Sequence, residues 1–260
     1  MTTNMKETEL IESLTRQAGD VLMKHFRQDW ALLKERGTAK EVATKYDNEV
    51  DTLIVEEIRR HYPRHSLLTE ESGSLQGEPD WLWIVDSLDG TGNFANFNPL
   101  FSVCIALMHR SELLLGAVYA PAIDEFYFSE KGKGAYLNGM KIQVSGVSDL
   151  NQSYILYCEG GDKNKVRTGK LLHEVYPHVT DIRKLGSAGL ETAWVAAGKR
   201  EAYYTTKIEP WDVAAGVLLV QEAGGRVSDF QGNPWTPETS DLLFSNEKLH
   251  KSMLHLLSSR

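Results

Sequence analysis

With two cysteines in 260 residues, no surplus of basic charge and no long apolar run, the chain excludes several classes of function at once. Cys104 and Cys158 each stand alone in an apolar stretch, outside any CxxC, so neither a zinc module nor a disulfide framework is available and a reducing cytoplasm fits. No stretch approaches the roughly 18 uninterrupted apolar residues of a membrane span. The N-terminal MTTNMKETELIE is acidic and amphipathic and lacks the apolar core of a signal peptide, so a soluble cytoplasmic protein is expected. The net charge of −8 counts against a general binder of nucleic acid or anionic membrane, because phosphate backbones attract basic surfaces. Internal repeats and low-complexity linkers are missing too. What remains is 42% hydrophobic and 25% charged, an ordinary globular composition long enough for one large domain or two packed lobes.

Periodicity orders the chain. Apolar residues recur at helical spacing from about Lys6 to Lys34 (Leu10, Leu14, Val21, Leu22, Phe26). After a break at Gly37, Val50, Leu53, Ile54 and Ile58 predict a helix from about Asp47 to His61, stopped by Pro63. Short β-like runs follow: SLLT, WLWIV, FSVCIALM and LLLGAVYAP, then a Gly- and Asn-punctuated segment, KGKGAYLNG, that predicts hairpins. Beyond Ser145 the pattern alternates. Strand SYILYC, a helix from Lys163 to Tyr176, a strand near Ile182, a helix from Ser187 to Ala197, strand EAYYT, a helix from Trp211 to Ala223, strand LLFSN and a last helix predict an α/β lobe. The expected division is an N-terminal α+β lobe over 1–145 and a C-terminal α/β lobe over 146–260.

The stretch WLWIVDSLDGTGNFANFNP then poses a chemical question, because a buried-looking strand ends in two acids and a glycine-rich turn. Strand ends are where α/β proteins place reactive groups. Asp86 and Asp89, one tight turn apart with the Leu88 carbonyl between them, can face one crevice and offer the hard oxygen donors that suit Mg2+. Gly90, Thr91 and Gly92 can present successive backbone N–H groups to an anion. Metal ligands beside a phosphate cradle point to phosphoryl transfer to water. Standing alone, an Asp-Gly turn is more often a solvated loop. Two further sites shift that balance. Glu70 and Glu71 in TEES follow the strand SLLT, where a solvated turn is the competing account. Asp212 opens the Ala/Gly-rich segment WDVAAGVLLVQEAGG, where simple N-capping competes.

TEES, DSLDGTGNF and WDVAAG, in this order, resemble the motifs of the inositol monophosphatase family of Mg2+-dependent, typically lithium-sensitive phosphatases. The resemblance covers nearly the whole chain. It implies a two-lobed α/β/α/β/α sandwich of the inositol monophosphatase and fructose-1,6-bisphosphatase type, a homodimer, and two to three Mg2+ ions per site. By that resemblance Glu70, Asp86 and the Leu88 carbonyl would hold the first ion, and Asp86, Asp89 and Asp212 the second. Thr91 and Asp47 would orient and polarise the attacking water. Gly90 and Thr91 would cradle the phosphate, and Gly186, Ser187 and Ala188 of GSAG would line the substrate pocket. The expected activity is hydrolysis of small polyol or sugar phosphates.

Departures from the family pattern bear on specificity. Ser87 stands where the family usually has proline, which removes no metal donor. Many members carry a glutamate seven residues before the WD aspartate, contacting substrate hydroxyls; here that residue is Thr205, so inositol specificity is left open. Gly92-Asn93 replaces the Lys-Glu found in 3′-phosphonucleotide phosphatases of this superfamily. That reading and fructose bisphosphate remain the enzymatic alternatives, and a regulatory protein binding RNA or a transcription partner is the alternative of another class. The eight histidines read as surface or core residues, and Asp124, Glu125, Asp229 and Asp241 as loop charges.

Overall fold

The computed structural model describes residues 5–26, 39–160 and 165–258. Helix α1 (Glu7–His25) buries the stripe Leu10, Ile11, Leu14, Ala18 and Leu22. Helix α2 (Ala39–His61) buries Val50, Ile54 and Ile58. It starts eight residues before the expected Asp47, because Ala39, Val42, Ala43 and Tyr46 extend the helical apolar period upstream and Ala, Lys and Glu are strong helix formers. The expected continuation of α1 to Lys34 and the break at Gly37 lie outside the described residues.

Both helices cover one face of an eight-stranded sheet. Its strands are β1 (His65–Thr69), β2 (Gly73–Leu75), β3 (Glu78–Asp89), β4 (Ser102–His109), β5 (Glu112–Ala120), β6 (Glu125–Glu130), β7 (Gly134–Leu137) and β8 (Met140–Ile142), in the order β2-β1-β3-β4-β5-β6-β7-β8. Only β1 and β3 run parallel; the other neighbours are antiparallel hairpins. A five-residue helix α3 (Thr91–Ala95) links β3 to β4.

The second sheet holds β9 (Tyr154–Cys158), β10 (Asp181–Arg183), β11 (Ala202–Thr205), β12 (Gly225–Asp229) and β13 (Leu242–Asn246), in the order β10-β9-β11-β13-β12. Helix α4 (Lys165–Val175) and the last helix, α7 (Glu247–Ser258), pack on its outer side. Between the sheets lie α5 (Ala188–Ala196) and α6 (Pro210–Glu222). Eight of the nine residues of α5 and the run Val213–Val220 of α6 are buried, so neither helix is amphipathic; helices enclosed on all sides are apolar all round. Small residues let them approach closely. A Cβ on Gly216 of α6 would lie 1.9 Å from Thr192 Oγ1 of α5, and one on Gly116 of β5 would lie 2.8 Å from the Ala215 carbonyl oxygen.

The layers therefore run α/β/α/β/α, the expected architecture. Strands β2 and β12 were not expected from the sequence pattern. No described helix is long and apolar enough to cross a membrane.

Candidate active site

The sequence places Asp86 at the end of a strand and Asp89 one turn later; β3 runs further, through Asp86, and ends at Asp89. A regular strand would send residues three apart to opposite faces. Here Asp86 pairs with Cys104 and Asp89 with Ser102, so three steps on β3 match two on β4, and the extra residue is a bulge. Cys104 and Ser102 share a face, and so do the two aspartates. That face looks onto the α5/α6 layer.

Asp86 is buried, with Oδ1 accepting the Leu88 N–H at 3.0 Å and Oδ2 buried without any partner. Glu70, exposed in the turn after β1, is tied to β3 by its N–H to the Val85 carbonyl at 3.3 Å. Asp212 comes from α6. It sits at the third helical position and closes a capping box, its Oδ2 accepting the N–H of the N-cap residue Glu209 at 3.1 Å. Oxygen atoms of Glu70, Asp86 and Asp212 lie within 4.8 Å of one another, from three elements spread over 143 positions of sequence.

Asp89 stands apart from this trio. Its Oδ2 accepts from Ser102 Oγ (2.8 Å), Ser187 Oγ (2.5 Å) and the Gly189 N–H (2.8 Å), and its Oδ1 from the Ala188 N–H (2.9 Å). The first N–H groups of a helix have no intrahelical partner, so the start of α5 is bound to this carboxylate. Ser187 and Ala188 thus first serve Asp89, while Oδ1 keeps lone-pair capacity for one more contact. Two residues not singled out from the sequence fix the preceding loop. Glu191 Oε1 accepts the N–H groups of Leu185 (2.6 Å) and Gly186 (3.3 Å), and Asn93 Nδ2 donates to the Leu185 carbonyl at 2.8 Å. Asn93 in GTGN and Glu191 in GLET carried no period or spacing that would have marked them.

Gly90 has φ +90° and its Cβ would lie 3.0 Å from the Gly186 carbonyl oxygen, so only glycine fits there. It turns the chain so that α3 starts at Thr91 facing open space at Gly92. Thr91 Oγ1 donates to the Leu88 carbonyl at 3.2 Å; no hydrogen bond joins it to Asp47. Asp47, on α2, is buried and accepts Ser87 Oγ at 2.5 Å. Thr205 ends β11, fully buried, with Oγ1 unpartnered.

The carboxylates crowd one another. Burial, opposed by the Ser87 hydrogen bond and reinforced by Glu71, Glu70 and Asp51, pushes Asp47 up to about 8. Glu70, exposed as a residue but with its carboxylate turned toward the other acids, rises to about 7 through partial desolvation and then repulsion from Glu71, Asp89 and Asp51. Asp212 reaches about 8 through burial and then Asp89. Burial also raises Asp86 and Asp89. A cation reverses this cost, and a set of hard oxygen donors with one orphaned buried carboxylate oxygen fits Mg2+.

Elsewhere, the histidines keep clear of the acidic trio, and His250 is a core residue between Ser228 Oγ (2.9 Å) and Ser245 Oγ (2.8 Å). The four acids taken as loop charges differ among themselves. Glu125 begins β6 and pairs with Lys199, Tyr127 and Trp194, Asp241 pairs with Arg167, and Asp229 closes a turn with Gln231 and Asn233; Asp124 is a turn residue.

The sequence model of the inositol monophosphatase family matches residues 4–260. The fructose-1,6-bisphosphatase/inositol-1-monophosphatase of Thermotoga maritima is 37% identical over 246 residues, covering 94% of this chain and 93% of that protein. The Nus factor SuhB of Escherichia coli is 35% identical over 246 residues, covering 92% and 91%. Among solved structures, the inositol monophosphatase of Anabaena (Nostoc) superposes with a TM-score of 0.87 at 31% identity, covering 96% of this chain and 94% of that one. The layered fold, the motif order and a match running almost end to end agree: the chain belongs to the inositol monophosphatase family, a family of phosphatases.

Proposed function

We propose that this chain is a Mg2+-dependent phosphomonoesterase that hydrolyses small polyol or sugar phosphates, inositol 1-phosphate among them, by in-line attack of water. The observation that carries this reading is the convergence of Glu70, Asp86 and Asp212 within 4.8 Å, with Asp86 Oδ2 buried and unpartnered. Glu70, Asp86 and the Leu88 carbonyl would hold one ion; Asp86, Asp89 and Asp212 would hold a second. When bound, Mg2+ supplies a lowered pKa for the attacking water and positive charge to offset the phosphoryl and leaving oxygens.

The remaining work falls to the chain itself. N–H groups of Gly90 and Thr91, at the open start of α3, donate to phosphate oxygens. Asp47, in its ionised form, takes the proton of the attacking water. The Thr91 hydroxyl orients that water. Gly186, Ser187 and Ala188, held by Glu191 at Gly186 and by Asp89 at Ser187 and Ala188, wall the substrate on the side of the second sheet. The two lobes divide near residue 145, between the last strand of the first sheet and the first strand of the second, and the protein acts as a homodimer.

Thr205 sets the breadth of the substrate range. A buried glutamate paired with a substrate hydroxyl penalises ligands without that hydroxyl by roughly 1–3 kcal/mol, since the carboxylate would be left unpaired. An uncharged hydroxyl discriminates less. The name of the Thermotoga relative, which joins fructose-1,6-bisphosphate to inositol 1-phosphate, supports breadth. The test is kcat/KM for phosphate release with Mg2+ over inositol, sugar, polyol and nucleotide phosphates. Inositol 1-phosphate is expected to be accepted but favoured by less than about 100-fold over other small esters. No phosphate release from any of them would overturn the reading, and a single strong preference would overturn its substrate range.

A further inference from the structure

Ser87 occupies the bulge of β3, between two proposed metal ligands, yet its side chain leaves the strand on the other side, toward α2. There its hydroxyl donates to Asp47 Oδ1 at 2.5 Å. Both groups are buried, at 1% and 2% exposure. Burial, and then the like charges of Glu71, Glu70 and Asp51, all disfavour the charged form of Asp47. The Ser87 hydrogen bond ties α2 to β3. Alanine or proline at 87 could not make it.

We propose that Ser87 is a positioning residue, whose hydroxyl locks the Asp47 carboxylate against repulsion from its acidic neighbours in the orientation needed to receive the water's proton. This rests on the reading of Asp47 given above. The bulge therefore has two outputs: it turns Asp86 and Asp89 toward the α5/α6 layer, and it turns Ser87 toward the base. Orientation of the base affects the chemical step and leaves phosphate binding alone.

The experiment is a double-mutant cycle between Ser87→Ala and Asp47→Ala, read in two ways. With Mg2+ and the best ester of the substrate panel, Ser87→Ala is expected to lower kcat about 10- to 100-fold, the worth of one hydrogen bond to a charged group, with KM changed less than about twofold. Adding Ser87→Ala to Asp47→Ala should slow the enzyme no further. In EDTA, independently of activity, Ser87→Ala should lower the melting temperature by about 2–5 °C in the wild-type background and by clearly less in the Asp47→Ala background. A wild-type protein that releases no phosphate would refute the function reading alone, and the EDTA melts would still decide the contact. Equal effects of Ser87→Ala with and without the Asp47 carboxylate, in kcat or in the melts, would overturn the proposal, as would a wild-type kcat in Ser87→Ala.

Discussion

Replacing Gly189 by alanine should push a methyl group into the floor of the acidic site. The added Cβ would lie 2.2 Å from Cys104 Sγ, 3.1 Å from Asp89 Oδ2 and 3.2 Å from Ser102 Oγ. Backbone conformation is no obstacle, since Gly189 is the second residue of α5 and alanine gains roughly 1 kcal/mol over glycine inside a helix. Packing opposes the change. Overfilled cores lose about 1–3 kcal/mol, and a 2.2 Å approach to a fully buried sulfur on β4 belongs at the upper end or beyond. The net loss of about 2 kcal/mol should lower the melting temperature by about 4–8 °C in a chain of this size. The same strain reaches chemistry, because the Gly189 N–H holds Asp89 Oδ2 at 2.8 Å. Thermal unfolding followed by circular dichroism in EDTA measures the first effect, and phosphate release the second. Cys104→Ala removes the obstructing sulfur, so the double variant should regain most of the lost melting temperature. A Gly189→Ala protein melting with the wild type, or a double variant with no recovery, would refute this account of the packing.

Millimolar Mg2+ should raise the melting temperature relative to EDTA, by linkage worth about 2.7 kcal/mol at a hundredfold excess over Kd, and Asp86→Asn should remove most of the rise; equal responses would eliminate Asp86 as a ligand. In EDTA the unfolded carboxylates give up protons near pH 4, whereas folded Asp47, Glu70 and Asp212 keep theirs to about 7–8, so metal-free stability should fall as pH rises through that window and Mg2+ should flatten the slope. A metal-free protein that gains stability over this range would contradict the crowded-acid geometry. Thr91→Ala should cut kcat by ~10²–10⁴ while the Mg2+-induced melting shift persists, because the backbone N–H remains; turnover close to wild type would remove Thr91 from the mechanism. His250, lowered to about 4 by burial and then by Arg226, stays neutral in the folded core while the unfolded chain takes up a proton below about 6.5. Its share of stability, about 2–3 kcal/mol, should therefore vanish as pH falls from 6.5 to 4, and His250→Gln should show a shallower acid-side loss in chemical denaturation.

Much of the fold was legible because burial leaves periodic traces. Helix α1, the hairpins after β4 and the alternation beyond Ser145 each followed from apolar spacing or from glycine and asparagine at turns. The failures share a cause. The first two turns of α2 carry their apolar period on Ala39, Val42, Ala43 and Tyr46, small or amphipathic residues that mark a buried face weakly. Strands β2 and β12 are short, half-covered and low in β-forming residues, with burial decided by their neighbours. Candidate ligands were legible because clustered acids are costly inside a protein unless something binds them, so DSLDGT, TEES and WD stood out.

By itself, then, the sequence determined which residues can do the chemistry, and roughly which elements carry them, since residue type and short-range spacing are local properties. Their relative placement is not local. Only the pairing of β3 with β4 decided that Asp86 and Asp89 share a face, because a bulge is defined by the partner strand's register. Only the docking of α5 decided that Asp89 is held by helix N–H groups while Glu70, Asp86 and Asp212 converge. Only the packing of α2 on the first sheet brought Ser87 to Asp47, forty residues away in the chain, a contact whose energy depends on the buried surroundings of both groups.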